Sequence, residues 1–268
     1  MTGDITKLLG GKVTKKSSTT SKINADKINE SDFPFCWRIK GSHLVTNTPP
    51  SHEFKKYYKS RNGLNGPKKV KIAAFDMDST LIDTKSGVKF GRGPNDWKWW
   101  NDQVTQVLKK YADENYTLVI FTNQGTVVVT EEIRNKSKSF ANLCSKVNQM
   151  MASLKSTVDA RVLVYAASAR PRPKRAKNVS SEELHATTRK PGTGMWEELE
   201  NYIRRSLGDE YEIDKDKSFF VGDAAGRDGD HLDSDKVFAE GFGIQFDIPE
   251  NIFKLPTDDD SNTTDNSD

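Results

Sequence analysis

The sequence predicts a doubly wound α/β domain on a parallel sheet, running from about residue 68 to 250. Three observations carry that expectation. Runs such as "VKIAAFD" and "TLVIFTN" are too uniformly apolar for strands with one wet face, so both faces must be covered. Between them lie segments with apolar residues at i, i+3, i+4 and i+7, the pattern of amphipathic helices. Alternation of the two is what a parallel sheet with helices on both sides requires. In such a sheet the ligand site lies beyond the carboxyl ends of the strands.

Taken in order, "VKIAAFD" is the first strand, and "DQVTQVLKKYADEN" follows as a helix with Val104, Val107, Leu108 and Tyr111 on one stripe. "TLVIFTN" is the second strand. Thr130, with two glutamates behind it, is expected to cap a long helix whose stripe runs Phe140, Leu143, Cys144, Val147, Met151 and Leu154. "RVLVYAA" is the third strand, "GMWEELENYIRR" a helix, "SFFVGD" the fourth strand and "FGIQF" the fifth. Residues 1–30, rich in Lys, Ser, Thr and Asn, read as a disordered basic arm. Residues 31–67 read as an extension with a strand or two packed on the core, closed by the turn chemistry of "NGLNGP". The α/β domain occupies 68–255, and 256–268 is a disordered acidic tail.

Charge follows the same division. The chain of 268 residues has a net charge of +3, yet residues 1–70 hold 14 bases against 5 acids, and residues 257–268 hold five Asp and no base. A basic arm suits a polyanionic partner, or is simply a solvated tail. No apolar stretch approaches the ~20 residues that span a bilayer, and the N-terminus has no apolar run of signal-peptide length. An intracellular soluble protein is therefore expected, with Cys36 and Cys144 as reduced thiols.

The polar residues at the strand ends form a set. The first strand ends in Asp76 and Asp78, the second in Thr122 and Asn123, the loop after the third carries Arg189-Lys190-Pro191, and the fourth ends in "GDAAGR" with Asp223 and Arg227. Carboxylates at i and i+2 of a strand point to one side, so Asp76 and Asp78 are expected to repel each other unless a cation sits between them. Carboxylates around a hard dication, with a lysine and a hydroxyl, suit phosphoryl transfer. Singly, each has a plainer reading: Asp76 and Asp78 as turn residues, Lys190 as a solvated charge, Thr122 as an ordinary strand residue. Four strand ends agreeing is what favours a site.

These four segments resemble the four motifs of the haloacid dehalogenase superfamily, with "DMDST" matching D-x-D-x-T. More narrowly, "FTNQG", "RKPGTGMW", "FVGDAAGR" and "TKSGVKFGRGPNDW" resemble the phosphatase half of polynucleotide kinase/3′-phosphatase, over about residues 68 to 250. The resemblance implies a fold of the haloacid dehalogenase type and an aspartyl-phosphate route. It makes Asp76 the nucleophile and Asp78 the general acid and later base. Thr122, Asn123 and Lys190 then bind the phosphoryl group, and Mg²⁺ is held by Asp76, Asp78 (through its main-chain carbonyl) and Asp223. The further acid beside Asp223 is Asp228 or Asp235, with Asp235 favoured. Two features depart from the pattern. Ser79 stands where the superfamily often has glycine, and the connection "ASARPRPKRAKNVSSEELHATT" is longer than expected.

Only residues 81–102 separate the first motif from the helix that follows, too few for a large cap domain, so the site should be open to a bulky substrate. Trp97, Trp99 and Trp100 on that rim could stack on a base or serve as packing. Residues 170–177 hold five bases and no acid. Arg170, Arg172, Lys174 and Arg175, with Arg189 and Arg227, are candidate DNA contacts. The same stretch fits a nuclear localisation signal or a solvated loop. No phosphate-binding loop of the kinase type is present, so the resemblance is to the free-standing DNA 3′-phosphatases known from yeasts. It implies an enzyme that acts on 3′-phosphate ends of DNA in strand-break repair; a monomer is expected, nuclear by the basic stretch or otherwise cytoplasmic. Small-molecule phosphatases of the histidinol- or heptose-phosphate type, which resemble this chain around "TNQG", typically carry a cysteine-rich zinc loop, which two distant cysteines cannot form. A protein phosphatase would be equally open-faced, and a DNA-binding domain without activity would be expected to lack Asp76 or Lys190.

Overall fold

The computed structural model describes residues 36–254, apart from 90, 159–160, 173–175 and 231. The expected arm at 1–30 and tail at 256–268 lie outside the described residues. The described residues open with a hairpin, β1 (Cys36–Lys40) and β2 (Leu44–Thr48), then α1 (Ser51–Asn62). Next come β3 (Lys69–Val70), β4 (Ile72–Phe75), a ribbon of β5 (Ile82–Asp83) and β6 (Lys98–Trp99), and α2 (Val104–Asp113). After β7 (Thr117–Gln124) come α3 (Lys138–Leu154), β8 (Val162–Ser168), α4 (Glu182–Thr188) and α5 (Gly194–Leu207). The described residues finish with β9 (Glu212–Ile213), β10 (Phe219–Val221), α6 (Ser234–Phe242), β11 (Gln245–Asp247) and α7 (Pro249–Ile252).

Seven strands form one sheet in the order β1-β2-β8-β7-β4-β10-β11. The five from β8 to β11 are parallel, as the apolar runs predict, and β2 joins antiparallel to β8. The period of two shows in the packing. Ala73, Phe75, Leu118, Ile120, Val162 and Val164 face the layer built by α2 and α3. Ile72, Ala74, Val119, Phe121, Leu163 and Tyr165 face the layer built by α1, α5 and α6. From β4 the chain moves first to β7 and β8, then back across to β10 and β11. This reversal opens a crevice at the carboxyl ends of β4 and its neighbours.

Three local expectations change. The long helix α3 is capped by Ser137, whose hydroxyl accepts from Phe140 N–H; Thr130 instead precedes a short 3-10 turn and makes no cap bond. Ser137 wins because it stands one residue before the helical run, where its oxygen can reach the free amides of the first turn. The fifth strand is shorter than "FGIQF", because Phe242 belongs to α6 and Gly243 ends that helix in a left-handed conformation. The long connection before Lys190 holds an additional helix, α4, capped by Ser181 accepting from Leu184 N–H.

The β1–β2 turn sits beside the end of β8, since Leu44 pairs with Ala167. There a knot of serines and histidines clasps the turn to the segment leading to Lys190. Ser42 Oγ lies 2.8 Å from His185 Nε2 and accepts from Ser180 N–H at 3.0 Å. His43 Nδ1 lies 2.9 Å from Ser180 Oγ. The hairpin thus adds two strands to the sheet and holds the loop beside the crevice.

Candidate active site

Asp76 directly follows β4, and its N–H donates to Val221 O at 2.8 Å, which stitches it to β10. Its carboxylate is buried, and Lys190 Nζ donates to Oδ1 at 2.5 Å. The same ammonium donates to Phe121 O at 2.9 Å and lies 2.7 Å from Asp235 Oδ1. Lys190 is held from behind by Asn123, whose side chain donates to Lys190 O and accepts from Lys190 N–H, both at 2.9 Å. Asp235, in the first turn of α6, also accepts from Ala224 N–H at 3.1 Å. Gly222 makes room for it: a Cβ there would stand 2.3 Å from Asp235 Oδ2.

One cation thus faces several carboxylates. Burial pushes the Asp76 carboxyl well above the usual range; Lys190 opposes that shift, and Asp235 and Asp223 add to it. Burial, then Asp235, pushes Asp223 up to about 6. Burial works against the charge of Lys190, but Asp235 and Asp76 hold its ammonium above the ordinary lysine value. Asp76, Asp223 and Asp235 each offer an oxygen, and these atoms lie within 4.8 Å of one another. Such an all-oxygen set with excess negative charge is what a hard divalent cation requires, so these residues fit Mg²⁺. Of the two candidates beside Asp223, Asp235 stands in this cluster, whereas Asp228 is exposed.

Asp78 stands in a wetter setting than the buried Asp76. The strand ends at Phe75, and the chain turns just after Asp78, with Ser79 at φ 61 in the left-handed region. That conformation is one glycine adopts more readily. The acids that crowd Asp76 are Asp235 and Asp223. The Asp78 side chain is 51% exposed; its Oδ2 accepts from Gln124 Nε2 at 2.8 Å, and its Oδ1 lies 3.4 Å from Lys146 Nζ. Gln124 Nε2 also donates to the buried Thr122 Oγ1 at 2.9 Å. Gln124 and Lys146 are absent from the sequence expectations. Gln124 stood visibly at the end of the second strand, whereas Lys146 looks in sequence like any helical lysine.

The candidate DNA contacts fall into different settings. Trp97 packs edge-on against Trp99 with ring centroids 5.3 Å apart, and its Nε1 donates to Gln149 Oε1 at 3.4 Å. Trp100 lies 6.1 Å from Phe253, and all three tryptophans are partly buried against one core layer. Arg170 lies 3.6 Å from Glu182, Arg172 is exposed, and Lys174 and Arg175 lie outside the described residues. Arg189 is exposed at the crevice, its guanidinium beside Gly125. Arg227 already pairs with Asp230 at 3.0 Å and Glu250 at 3.2 Å, and it donates to Asp223 O at 3.2 Å. It braces the loop that carries Asp223.

The family described as "Polynucleotide kinase 3 phosphatase" matches residues 71–253. The chain belongs to that family. It is 34% identical to a bifunctional polynucleotide phosphatase/kinase from Schizosaccharomyces pombe over 89% of this chain and 50% of that protein. A polynucleotide 3′-phosphatase from Saccharomyces cerevisiae is 30% identical over 69% of this chain and 87% of that one. Polynucleotide 3′-phosphatase ZDP from Arabidopsis thaliana is 34% identical over 72% of this chain and 25% of that one. The chain thus spans half the length of the fission-yeast relative and a quarter of the plant one. Among the described residues, no helix is long and apolar enough to cross a membrane.

Proposed function

We propose that this polynucleotide kinase 3 phosphatase family member is a Mg²⁺-dependent polynucleotide 3′-phosphatase that clears 3′-phosphates from DNA strand breaks. The observation that carries this reading is the buried bridge of Lys190 between Asp76 and Asp235, beside Asp223, at the carboxyl ends of the parallel strands. Asp76, Asp223 and Asp235 would hold the ion, which when bound offsets the charge of carboxylates and substrate phosphate. Asp76 attacks phosphorus, the bond from phosphorus to O3′ breaks, and Asp78 gives its proton to the departing O3′. Water then attacks phosphorus in the aspartyl-phosphate as Asp78 takes a proton from it, the bond from phosphorus to the Asp76 oxygen breaks, and Asp76 and inorganic phosphate are released. Lys190 and Thr122 stabilise charge on the phosphoryl oxygens. Asn123 acts by fixing the backbone of Lys190.

The choice of 3′ ends rests on the printed activity of the family relatives. The absence of a large insertion between β4 and α2 supports a polymeric substrate. The exposed Arg189 and Arg172 suit the phosphodiester backbone, whereas Arg227 is better read as a brace. Monomeric action in the nucleus completes the proposal, with "PRPKRAK" as the basic import stretch. The test is phosphate release from a nicked duplex ending in 3′-phosphate, with Mg²⁺ or EDTA, for the wild type and Asp76→Asn. A 5′-phosphate duplex is the control. Release at the 3′ end alone, dependent on Mg²⁺ and on Asp76, is expected. Release from small esters but from neither DNA end overturns the substrate assignment.

A further inference from the structure

We propose that Lys146 and Gln124 are positioning residues for Asp78, and that they make the enzyme effective on a poor leaving group, a sugar hydroxyl. The proposal rests on the reading of Asp78 as the proton donor. Asp78 lies beyond the end of β4 with half its side chain in water, and an exposed carboxylate left alone samples several rotamers. Here each oxygen has its own donor: Gln124 Nε2 at 2.8 Å on Oδ2, and Lys146 Nζ at 3.4 Å on Oδ1. The two donors come from separate rigid elements, the last residue of β7 and the middle of α3.

Lys146 is itself fixed. Its side chain is only 16% exposed, and its helical neighbours Leu143, Val147 and Met150 are buried. Its charged end therefore emerges at Asp78 rather than ranging over the surface. Gln124 uses the same amide nitrogen to reach Thr122 Oγ1 at 2.9 Å, so the orientation of Asp78 is tied to that of the residue facing the phosphoryl group. Both donors contact the carboxylate of Asp78, and neither is assigned a contact with the phosphoryl group. Their effect is exerted through the angle at which Asp78 meets the oxygen that leaves.

Leaving-group chemistry separates this role from a structural one. An alkoxide such as O3′ needs a proton as its bond to phosphorus breaks, whereas a p-nitrophenolate leaves without one. The ratio of kcat/KM on a 3′-phosphorylated oligonucleotide to kcat/KM on p-nitrophenyl phosphate is therefore the measurement. Lys146→Met, which keeps the apolar stem, is expected to lower that ratio by about tenfold or more, through kcat rather than KM. Lys146→Arg is expected to restore most of it. Gln124→Leu is expected to show the same bias, and it keeps the test decisive if Lys146→Met does not fold. Equal losses on both substrates, no loss on either, or a loss confined to KM on DNA would overturn the proposal. A wild type inactive on 3′-phosphate ends but active on the aryl ester would instead overturn the substrate reading.

Discussion

Lys190 Nζ stands 2.7 Å from Asp235 Oδ1 and 2.5 Å from Asp76 Oδ1, with the lysine and both carboxylates almost entirely out of water. One ammonium thus serves two buried carboxylates that come from opposite ends of the α/β domain. Removing one partner of a buried pair costs far more than the pair contributes, because the remaining charges stay buried without compensation. Lys190→Met should therefore lower stability at pH 7.5 in EDTA by about 3–5 kcal/mol. Mg²⁺ should return part of it, and activity should fall by about a hundredfold or more. Urea titrations with and without Mg²⁺ check this; a loss that Mg²⁺ leaves untouched would show that the lysine serves packing alone.

Gly222 provides a steric test of the same cluster. Its missing Cβ is the space that Asp235 occupies, since a methyl there would lie 2.3 Å from Oδ2. Gly222→Ala should displace Asp235, raise the Mg²⁺ concentration needed for half-maximal activity, and cost about 1–3 kcal/mol of stability from overpacking. Gly93→Ala, where a Cβ meets nothing within 4 Å, is the matched control. Equal behaviour of the two alanine variants would remove Asp235 from the site.

Asp223 sets a pH dependence in the metal-free protein. Burial and the neighbouring Asp235 raise its folded value to about 6, against an ordinary carboxyl of 3.8. Between those values the folded state holds more protons than the unfolded state, so stability rises as pH falls through this window. With partial solvent contact discounted, the gain should be about 1–2 kcal/mol from pH 7 to 4. Asp223→Asn should lack that component. Denaturation in EDTA at the two pH values decides it, and identical slopes for the two proteins would refute the assignment.

His43 acts in the opposite direction. Burial first, then His185 and Lys40, lowers its folded value from 6.5 to about 4. Below 6.5 the unfolded chain takes a proton that the folded ring resists, so stability is lost as pH falls towards 4. The β1–β2 clasp should weaken by about 1–2 kcal/mol over that range, the full linkage value being discounted for the ring's remaining contact with water. His43→Gln should flatten this part of the curve. Hydrogen exchange in residues 168–185 gives a local readout, and no acid-dependent rise there would count against the clasp.

The layers of the fold were legible because each strand and helix carries its own pattern. The apolar runs at Ile72–Phe75 and Thr117–Phe121 had to be covered on both faces, and they are. The ends of those runs also announced Asp76, Thr122, Lys190 and Asp223, since loops at one edge of a parallel sheet converge whatever their spacing in sequence. Less was visible where contacts are long-range. The spacing pointed to Asp78 as the acid crowding Asp76, whereas Asp235 and Asp223 do so from far along the chain. The antiparallel seat of β2 against β8 depends on a pairing across more than a hundred residues, to which local propensity is blind.

By itself the sequence determined the α/β class, the edge of the sheet where chemistry gathers, and most of the groups gathered there. These follow from periodicity and from residues adjacent to strand ends. Tertiary structure alone decided which acids share the lysine, which nitrogen holds each oxygen of Asp78, and that Arg227 spends its charge on Asp230 and Glu250. Those outcomes depend on a few ångströms between segments far apart in the chain, and electrostatic energy in a buried site changes steeply over that distance.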